Sequence, residues 1–325
     1  MKSMMKKQIK INFSDFYNGF DKENNDFIKI LREKYEVILS DDPDYFFYSS
    51  FGRDYLKYDC IRIYYTGECI VPDFNLCDYA MAFEYIHYGD RYMRVPLYEL
   101  FQYRKYYQVL LENSVPKCKK TAFCSFVVSN DQGMKERFQM MELLNEYKKV
   151  DSGGRYMNNI GGPVKDKFTF DQSHKFSICF ENCSHPGYTT EKIVEAFAAD
   201  TIPVYFGDSE IGKHFNTHAF INVADYPSLE DAVKRIIEID KNTELYQKIK
   251  AEPILLKDDR LYDDLKTFLF HIIEQPLAEA RRRPYNTRVV EKEDEQRIYM
   301  LYMKYVGKNI KRAKSLIRRY KNKAL

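Results

Sequence analysis

The chain has 325 residues, of which 45% are hydrophobic and 30% charged. That is the make-up of a soluble globular protein long enough for two domains. Its net charge of +3 is unevenly spread: Gln296 to Leu325 hold ten Lys and Arg and no acid, while residues 1–295 carry 41 basic and 48 acidic groups. An acidic body with a basic tail argues against a general nucleic-acid binder and for a local electrostatic anchor.

In chain order, Ile9 to Phe13 alternates as a first strand, Asn24 to Tyr35 reads as a helix, and Glu36 to Leu39 begins another strand. Tyr45 to Tyr48, Ile61 to Tyr65 and Tyr79 to Phe83 are further β runs. A break falls at Glu112 to Lys120, where a proline sits in a cluster of charges. A second set follows: strand Ala122 to Val128, helix Glu136 to Tyr147, strand Phe176 to Phe180 and helix Thr190 to Ala199. Strands Thr201 to Phe206 and Phe220 to Val223 and helix Leu229 to Ile239 complete it. Alternating strands and helices predict an α/β protein, and residues 122–239 read as a doubly wound domain. From Glu295 on, Ile298, Leu301, Tyr302, Tyr305, Ala313, Leu316, Ile317 and Tyr320 recur at helical spacing among basic residues. This predicts an interfacial amphipathic helix, with a break at Gly307, or else a solvated helix packed on the body.

Twenty-eight Tyr and 23 Phe without any Trp suit sugar or base contact, and suit ordinary cores equally well. Seven cysteines, an odd number without any CxxC spacing, read as neither a disulfide framework nor a zinc site. The basic start MKSMMKKQIKINF carries an apolar run too short for a signal peptide. No stretch approaches the ~20 apolar residues of a membrane span. A cytoplasmic setting is the default expectation.

The densest chemistry lies in KFSICFENCSHPGYTTEK, Lys175 to Lys192. A strand there delivers Glu181 and Asn182 into a loop that closes on a helix start, the way open α/β sheets build ligand sites. Lys192 near a helix start opposes the dipole, so an anion nearby would explain it. Arg137, at the start of the helix after Ser129 and Asn130, is of the type that grips two phosphate oxygens at once. Glu68 follows Thr66-Gly67 at the end of the run Ile61 to Tyr65, and a carboxylate at the C-terminal end of a strand faces the ligand edge of such a sheet. The loops at Asp151 to Gly154 and Asn158 to Gly162 read equally as a phosphate or guanosine cradle or as a plain connector. His185, His214 and His218 do not form a metal set.

The segments YYTGE (64–68), FCSFVVSN (123–130), SICFENCSHPGYTTEKI (177–193) and TIPVYFGD (201–208) resemble bacterial alpha-1,3-fucosyltransferases of glycosyltransferase family 10. The pieces at 78–96, 147–162 and 215–226 also match, so the resemblance runs in order over roughly residues 60–240. It implies a GT-B architecture, with two facing Rossmann-like domains and a cleft between them. Residues 1–115 would bind the acceptor, 116–275 would bind GDP-fucose, and 276–325 would form helices and the basic tail.

The resemblance implies Glu68 as the catalytic base, with Glu84 as its nearest rival. Glu191 would join it at the reacting centre, either on donor hydroxyls or opposite charge building on the sugar. Arg137, Lys192, Asn182, Tyr188, Ser129 and Asn130 would contact the donor; Glu84 and Tyr85 would contact the acceptor. Tyr85 stands where some relatives carry a second carboxylate. Glu181 is expected to position its loop. The implied reaction is inverting transfer of L-fucose from GDP-fucose to the GlcNAc of Gal-beta-1,4-GlcNAc-type acceptors, in Lewis-type or lipopolysaccharide synthesis. Another acceptor, type 1 or glucose-terminated, and a non-catalytic nucleotide-sugar-binding scaffold are the alternatives. No cofactor is required on this reading, although Mn²⁺ could stimulate. The expected partners are the donor, a glycan or glycolipid acceptor and an anionic membrane surface at the inner face of the cytoplasmic membrane, with no nucleic acid.

Overall fold

The computed structural model describes residues 6–256, 260–284 and 287–307, together with 309, 310, 312 and 313. It divides into two compact units. One comprises Met1–Met81, Tyr88–Met93 and Lys266–Leu325, the other Ala82–His87 and Arg94–Leu265. Each is built on its own sheet, the α/β two-unit build that the resemblance implies.

In the first unit, β1 (Gln8–Ser14) leads to α1 (Asp26–Lys34) and β2 (Glu36–Leu39). The helix starts where the sequence supplies a cap: Asn25 Oδ1 accepts the Ile28 N–H at 3.0 Å. It buries Phe27, Ile28, Ile30 and Leu31. β3 (Tyr45–Tyr48), β4 (Ile61–Tyr65), β5 (Tyr79–Ala82) and β6 (Tyr92–Arg94) complete a sheet of order β2-β1-β3-β4-β5-β6, and β1 to β5 pair in parallel. β3 and β4 are buried at every position, as central parallel strands covered on both faces must be. Phe13, Phe27 and Phe47 stack with centroids 5.1 and 5.4 Å apart.

The second unit runs through α2 (Arg104–Leu111), β7 (Ala122–Phe126), α3 (Glu136–Tyr147), β8 (Val150–Ser152), α4 (Lys167–Gln172) and β9 (His174–Ile178). It continues with α5 (Glu191–Ala198), β10 (Ile202–Tyr205), β11 (Ile221–Asn222), α6 (Leu229–Lys241) and α7 (Thr243–Ala251). Its five strands are all parallel in the order β11-β10-β9-β7-β8. One face packs Phe126, Met140, Leu144, Val204 and Ile236; the other packs Ile193, Val194 and Phe197 of α5 with Tyr205 and Phe215. A polar thread runs through this interior. Ser125 Oγ donates to Asp171 Oδ1 at 2.6 Å, and Lys167 Nζ bridges Asp171 (2.9 Å) and Glu195 (3.1 Å). The strand order reverses between β7 and β9, and ligands of such sheets bind beyond the C-terminal ends of the strands at that point.

The expected strand at 176–180 lies two residues earlier. Cys179 and Glu181 still donate backbone N–H groups to Val204 and Phe206, so the chain stays extended past the regular ladder. After α8 (Leu261–Glu274) and α9 (Leu277–Ala280), α10 (Thr287–Tyr302) is tied to the first unit by a polar face. Glu293 pairs with the buried Arg62 at 2.6 Å, Gln296 accepts from Arg53 Nε at 2.6 Å, and Arg297 donates to the Leu56 carbonyl at 3.1 Å. A π-helical turn, Met303–Gly307, follows at the expected break. Leu316, Ile317 and Tyr320 of the expected amphipathic tail lie outside the described residues.

Candidate active site

The reversal of strand order brings the loops after β7 and β9 together. Arg137, in the first turn of α3, is 2% exposed. Its Nη1 donates to Asn182 Oδ1 at 3.2 Å, and its Nη2 to the Asn130 carbonyl. Its Nε is buried without a hydrogen-bond partner among the described residues. Burial lowers the guanidinium's pKa. A buried, incompletely bonded arginine is a group whose missing partner is an acceptor, ideally an anion. Gly133 makes room for it, since a Cβ there would stand 2.2 Å from Arg137 Cζ. Ser129 and Asn130 are exposed, and the Asn130 side chain accepts the Gln132 N–H at 2.9 Å, closing its own turn.

Across the same edge, Glu181 is fully buried and organises the start of α5. Its Oε1 accepts the Thr190 N–H at 2.7 Å; its Oε2 accepts Thr190 Oγ1 at 2.7 Å and Lys192 Nζ at 3.0 Å. Lys192 also donates to Thr190 Oγ1 (2.9 Å) and, over a longer reach, to Glu191 Oε1 (3.4 Å). Burial alone would lower the Lys192 pKa, but Glu181 and Glu191 outweigh it and hold the ammonium above the usual lysine range. Burial likewise pushes Glu191 up, and Lys192 outweighs that and keeps its carboxyl below the usual range. Two cations and two carboxylates therefore face one strand edge.

The loop between Glu181 and α5 is fastened from β10. Asp208 Oδ1 accepts the N–H groups of Gly187 (2.7 Å) and Glu210 (2.8 Å), and Oδ2 accepts Thr189 Oγ1 at 2.7 Å. Gly187 has φ +85°, and a Cβ on it would lie 2.3 Å from the Phe83 carbonyl, so only glycine fits. Tyr188 is 1% exposed and packs edge-to-face on Phe83 at 4.8 Å. Sequence reasoning singled out Glu181 as a positioning residue and passed over Asp208. The signal was available: Asp208 ends a β run, the rule that singled out Glu68.

Glu84 and Tyr85 belong to this unit rather than to the N-terminal one. Glu84 Oε1 lies 3.5 Å from His185 Nε2. The Tyr85 ring has Arg94 4.3 Å and Lys213 4.1 Å from its centroid, with His214 stacked at 5.9 Å. Glu68 is half-buried in the first unit, beyond the C-terminal end of β4. Thr66 Oγ1 accepts its N–H at 3.0 Å, which sets the turn that carries it. In the Gly- and Asn-rich stretch, Asn159 clasps β8 by accepting from Ser152 N–H and donating to the Val150 carbonyl, both at 2.8 Å. Asn158 Oδ1 accepts the Gly162 N–H at 2.9 Å. The asparagines' donors and acceptors are thus turned inward on the loop itself. Among the described residues no group of three or more His, Cys, Asp or Glu is placed to hold a metal.

Two family models match the chain: the alpha-(1,3)-fucosyltransferase FucT N-terminal domain over residues 11–101 and the C-terminal part of glycosyltransferase family 10 (fucosyltransferase) over 116–250. The chain belongs to glycosyltransferase family 10. Among family members it is similar to the alpha-(1,3)-fucosyltransferase FucT of Helicobacter pylori, at 31% identity over 313 residues, covering 77% of this chain and 65% of that protein. It also resembles the human 4-galactosyl-N-acetylglucosaminide 3-alpha-L-fucosyltransferase 9, at 36% over 106 residues, 31% of this chain and 30% of that one. The chain thus spans just under two thirds of the first family relative and under a third of the second. A solved family structure, an alpha1,3-fucosyltransferase with GDP-fucose, matches with a TM-score of 0.72 and 27% identity over 85% of this chain and 93% of that one. The Arg137–Asn182 and Glu181–Lys192 contacts fall within residues 116–250 of the family's C-terminal model, Glu68 within its N-terminal one.

Proposed function

We propose that this chain is an inverting alpha-1,3-fucosyltransferase that moves L-fucose from GDP-fucose to the GlcNAc of Gal-beta-1,4-GlcNAc-type acceptors. The observation that carries this reading is Arg137: buried, bonded to Asn182 across the reversal point, and with an unpaired Nε. A diphosphate supplies the acceptor it lacks, and the solved relative that the chain resembles carries GDP-fucose. Lys192, held by Glu181, Thr190 and Glu191, is the second cation of this edge and serves the same leaving group on this reading. In the transfer, the acceptor hydroxyl attacks the anomeric carbon of fucose from the face opposite GDP. Glu68 takes the hydroxyl proton, and the C–O bond to the diphosphate breaks with its charge held by Arg137 and Lys192. Glu191 faces the donor sugar; Asn182, Ser129 and Asn130 line the donor edge, with Tyr188 behind it. Glu84 and Tyr85 meet the acceptor. This reading requires no resident metal, because two cations already serve the leaving group; a chelator should leave transfer intact, and added Mn²⁺ would only stimulate.

The exposed face of α10 supports attachment to an anionic membrane surface. The helix turns polar residues to the protein and leaves Ile298, Leu301 and Tyr302 outward at 66%, 57% and 43% exposure, with Tyr305 of the following turn at 65%. Basic residues surround them in the sequence. No helix among the described residues is long and apolar enough to cross a membrane. Surface attachment at the inner face of the cytoplasmic membrane, and a role in Lewis-type or lipopolysaccharide glycans, follow on this reading.

The deciding experiment is GDP release from GDP-fucose with and without N-acetyllactosamine, with linkage analysis of the product. Glu68→Gln should abolish transfer and leave GDP affinity near normal. Loss of GDP affinity in that variant refutes Glu68 as base, and GDP-fucose binding without turnover in the wild type refutes the enzyme itself. A type 1 or glucose-terminated acceptor preferred in the same screen replaces the acceptor assignment alone.

A further inference from the structure

The opposite edge of the second sheet, where its strands begin, holds a separate concentration of charge. Lys117 and Lys120 precede β7, Asp200 lies between α5 and β10, and Tyr246 and Lys250 sit one turn apart on α7. They line a cavity of about 260 Å³. It shares Lys117, Asp200 and Lys250 with a neighbouring cavity of about 780 Å³ whose wall includes Leu110, Phe197 and Ile249. Neither cavity is lined by Arg137, Glu181 or Lys192, so neither belongs to the site described above.

Three lysines surround the one carboxylate of Asp200: Lys250 at 2.5 Å, Lys120 at 3.7 Å and Lys117 at 4.0 Å. Asp200 adopts a left-handed backbone (φ +61°) just past the C-terminus of α5 and also accepts the Cys118 N–H at 2.9 Å. The helix end adds about half a negative charge. The C-terminus of α7, at Ala251 in the cavity wall, adds about as much again, and positive charge still exceeds negative by about one unit. The nearby Asp240 is matched by Lys175 (2.5 Å) and Lys148 (3.3 Å).

The donors are not used up. Lys120 is held by the carbonyls of Gln172 (2.9 Å) and Ala199 (3.2 Å), and Lys250 donates to Asp200 Oδ1 and O, which leaves one of its N–H groups unused. Lys117 is 80% exposed, and among the described residues its one ion pair is the long contact to Asp200. The independent observation is Tyr246: 7% exposed, in the cavity wall, with a hydroxyl that has no hydrogen-bond partner among the described residues. A buried hydroxyl left unbonded beside surplus ammonium groups is the complement of a compact multivalent acceptor.

We propose that this pocket binds a small oxyanion of the phosphate class, held by the Tyr246 hydroxyl, the free N–H of Lys250 and the ammonium of Lys117. Helix α5 connects the two edges of the sheet: Glu191 and Lys192 open it, and Asp200 follows its end. An anion here therefore bears on the far end of the helix that carries the donor-edge residues.

The test is a titration of the full chain with inorganic phosphate, read by thermal unfolding and calorimetry against chloride at matched ionic strength. It is run in an Arg137→Ala background so that the other basic edge does not contribute. Phosphate should raise Tm where chloride does not. Tyr246→Phe and Lys117→Met, which keep the ring and an exposed stem, should each weaken phosphate binding about tenfold, as the loss of one hydrogen bond to a charged group implies. Phosphatidylglycerol vesicles in place of phosphate, compared between the parent and Lys117→Met, separate the sources. Pocket-dependent stabilisation by phosphate alone assigns the free ion, and by vesicles alone a lipid headgroup. No stabilisation beyond chloride in either arm, or stabilisation indifferent to both substitutions, overturns the proposal.

Discussion

At the C-terminal edge of the second sheet, Lys192 meets two carboxylates, Glu181 and Glu191, and its pKa rises despite burial. At the N-terminal edge three lysines meet Asp200 alone. There burial drives Lys120 down to about 8 and lowers Lys250 as well, and one carboxylate does not restore them. Both edges concentrate cations, and they differ in how those cations are balanced. The first is nearly neutral and preorganised, with charges fixed by short bonds into a helix start, which is the arrangement that the proposed transfer calls for. The second carries a surplus that the protein itself does not neutralise, which is what a resting anion site requires. Strand direction in a parallel sheet separates the two kinds of site by the length of the strands.

The comparison can be broken most forcefully at Glu181. Glu181→Ala removes the partner of Lys192 and two bonds to Thr190, and should cost about 3–5 kcal/mol of stability in urea unfolding. A loss below about 1 kcal/mol would mean that the C-terminal edge is not the preorganised one. Next comes Arg137→Ala, expected to weaken GDP binding about ten- to a hundredfold by calorimetry. Arg137→Lys should not restore it, because a single ammonium cannot reach Asn182, the Asn130 carbonyl and a diphosphate together.

Asp208→Asn keeps the acceptor for Gly187 and Glu210 but sets an amide against Thr189. It should cost about 1–2 kcal/mol and speed hydrogen exchange at Gly187; unchanged exchange would show that the loop is held elsewhere. The smallest effect concerns Lys120. Its folded pKa of about 8 lies below the ordinary 10.5, so the unfolded chain binds more protons in that interval. Folding stability contributed by this group should therefore rise as pH increases from about 8 to about 10.5. Against Lys120→Met in parallel unfolding curves the wild type should show the larger rise, because Lys250, which burial also lowers, contributes to both; identical profiles would remove the asymmetry between the two edges.

Much of the scaffold was legible because its signals are local. The apolar runs at 45–48 and 61–65 became buried central strands, and the periodic stretch at 136–147 became α3 with the same ends. The three-residue strands β6 and β8 carry no period to read, and α2, α4 and α7 to α9 lie outside the expected elements. At the site, the ordered motifs singled out Arg137, Lys192, Glu191 and Glu68 as chemistry-bearing. They did not reveal that Asn182 is the hydrogen-bond partner of Arg137, nor that Glu181 carries Lys192.

By itself the sequence determined the alternation of strands and helices, the family, and the residue types available for charge, because spacing and side-chain chemistry along the chain are local properties. Only the tertiary structure decided which charges meet. Arg137 and Asn182 lie 45 positions apart, and Asp200 and Lys117 83 apart. Crossovers of a parallel sheet, with its order reversed between β7 and β9, bring such distant residues to one edge, and the balance there between burial and neighbouring carboxylates fixes which cation is raised and which is lowered.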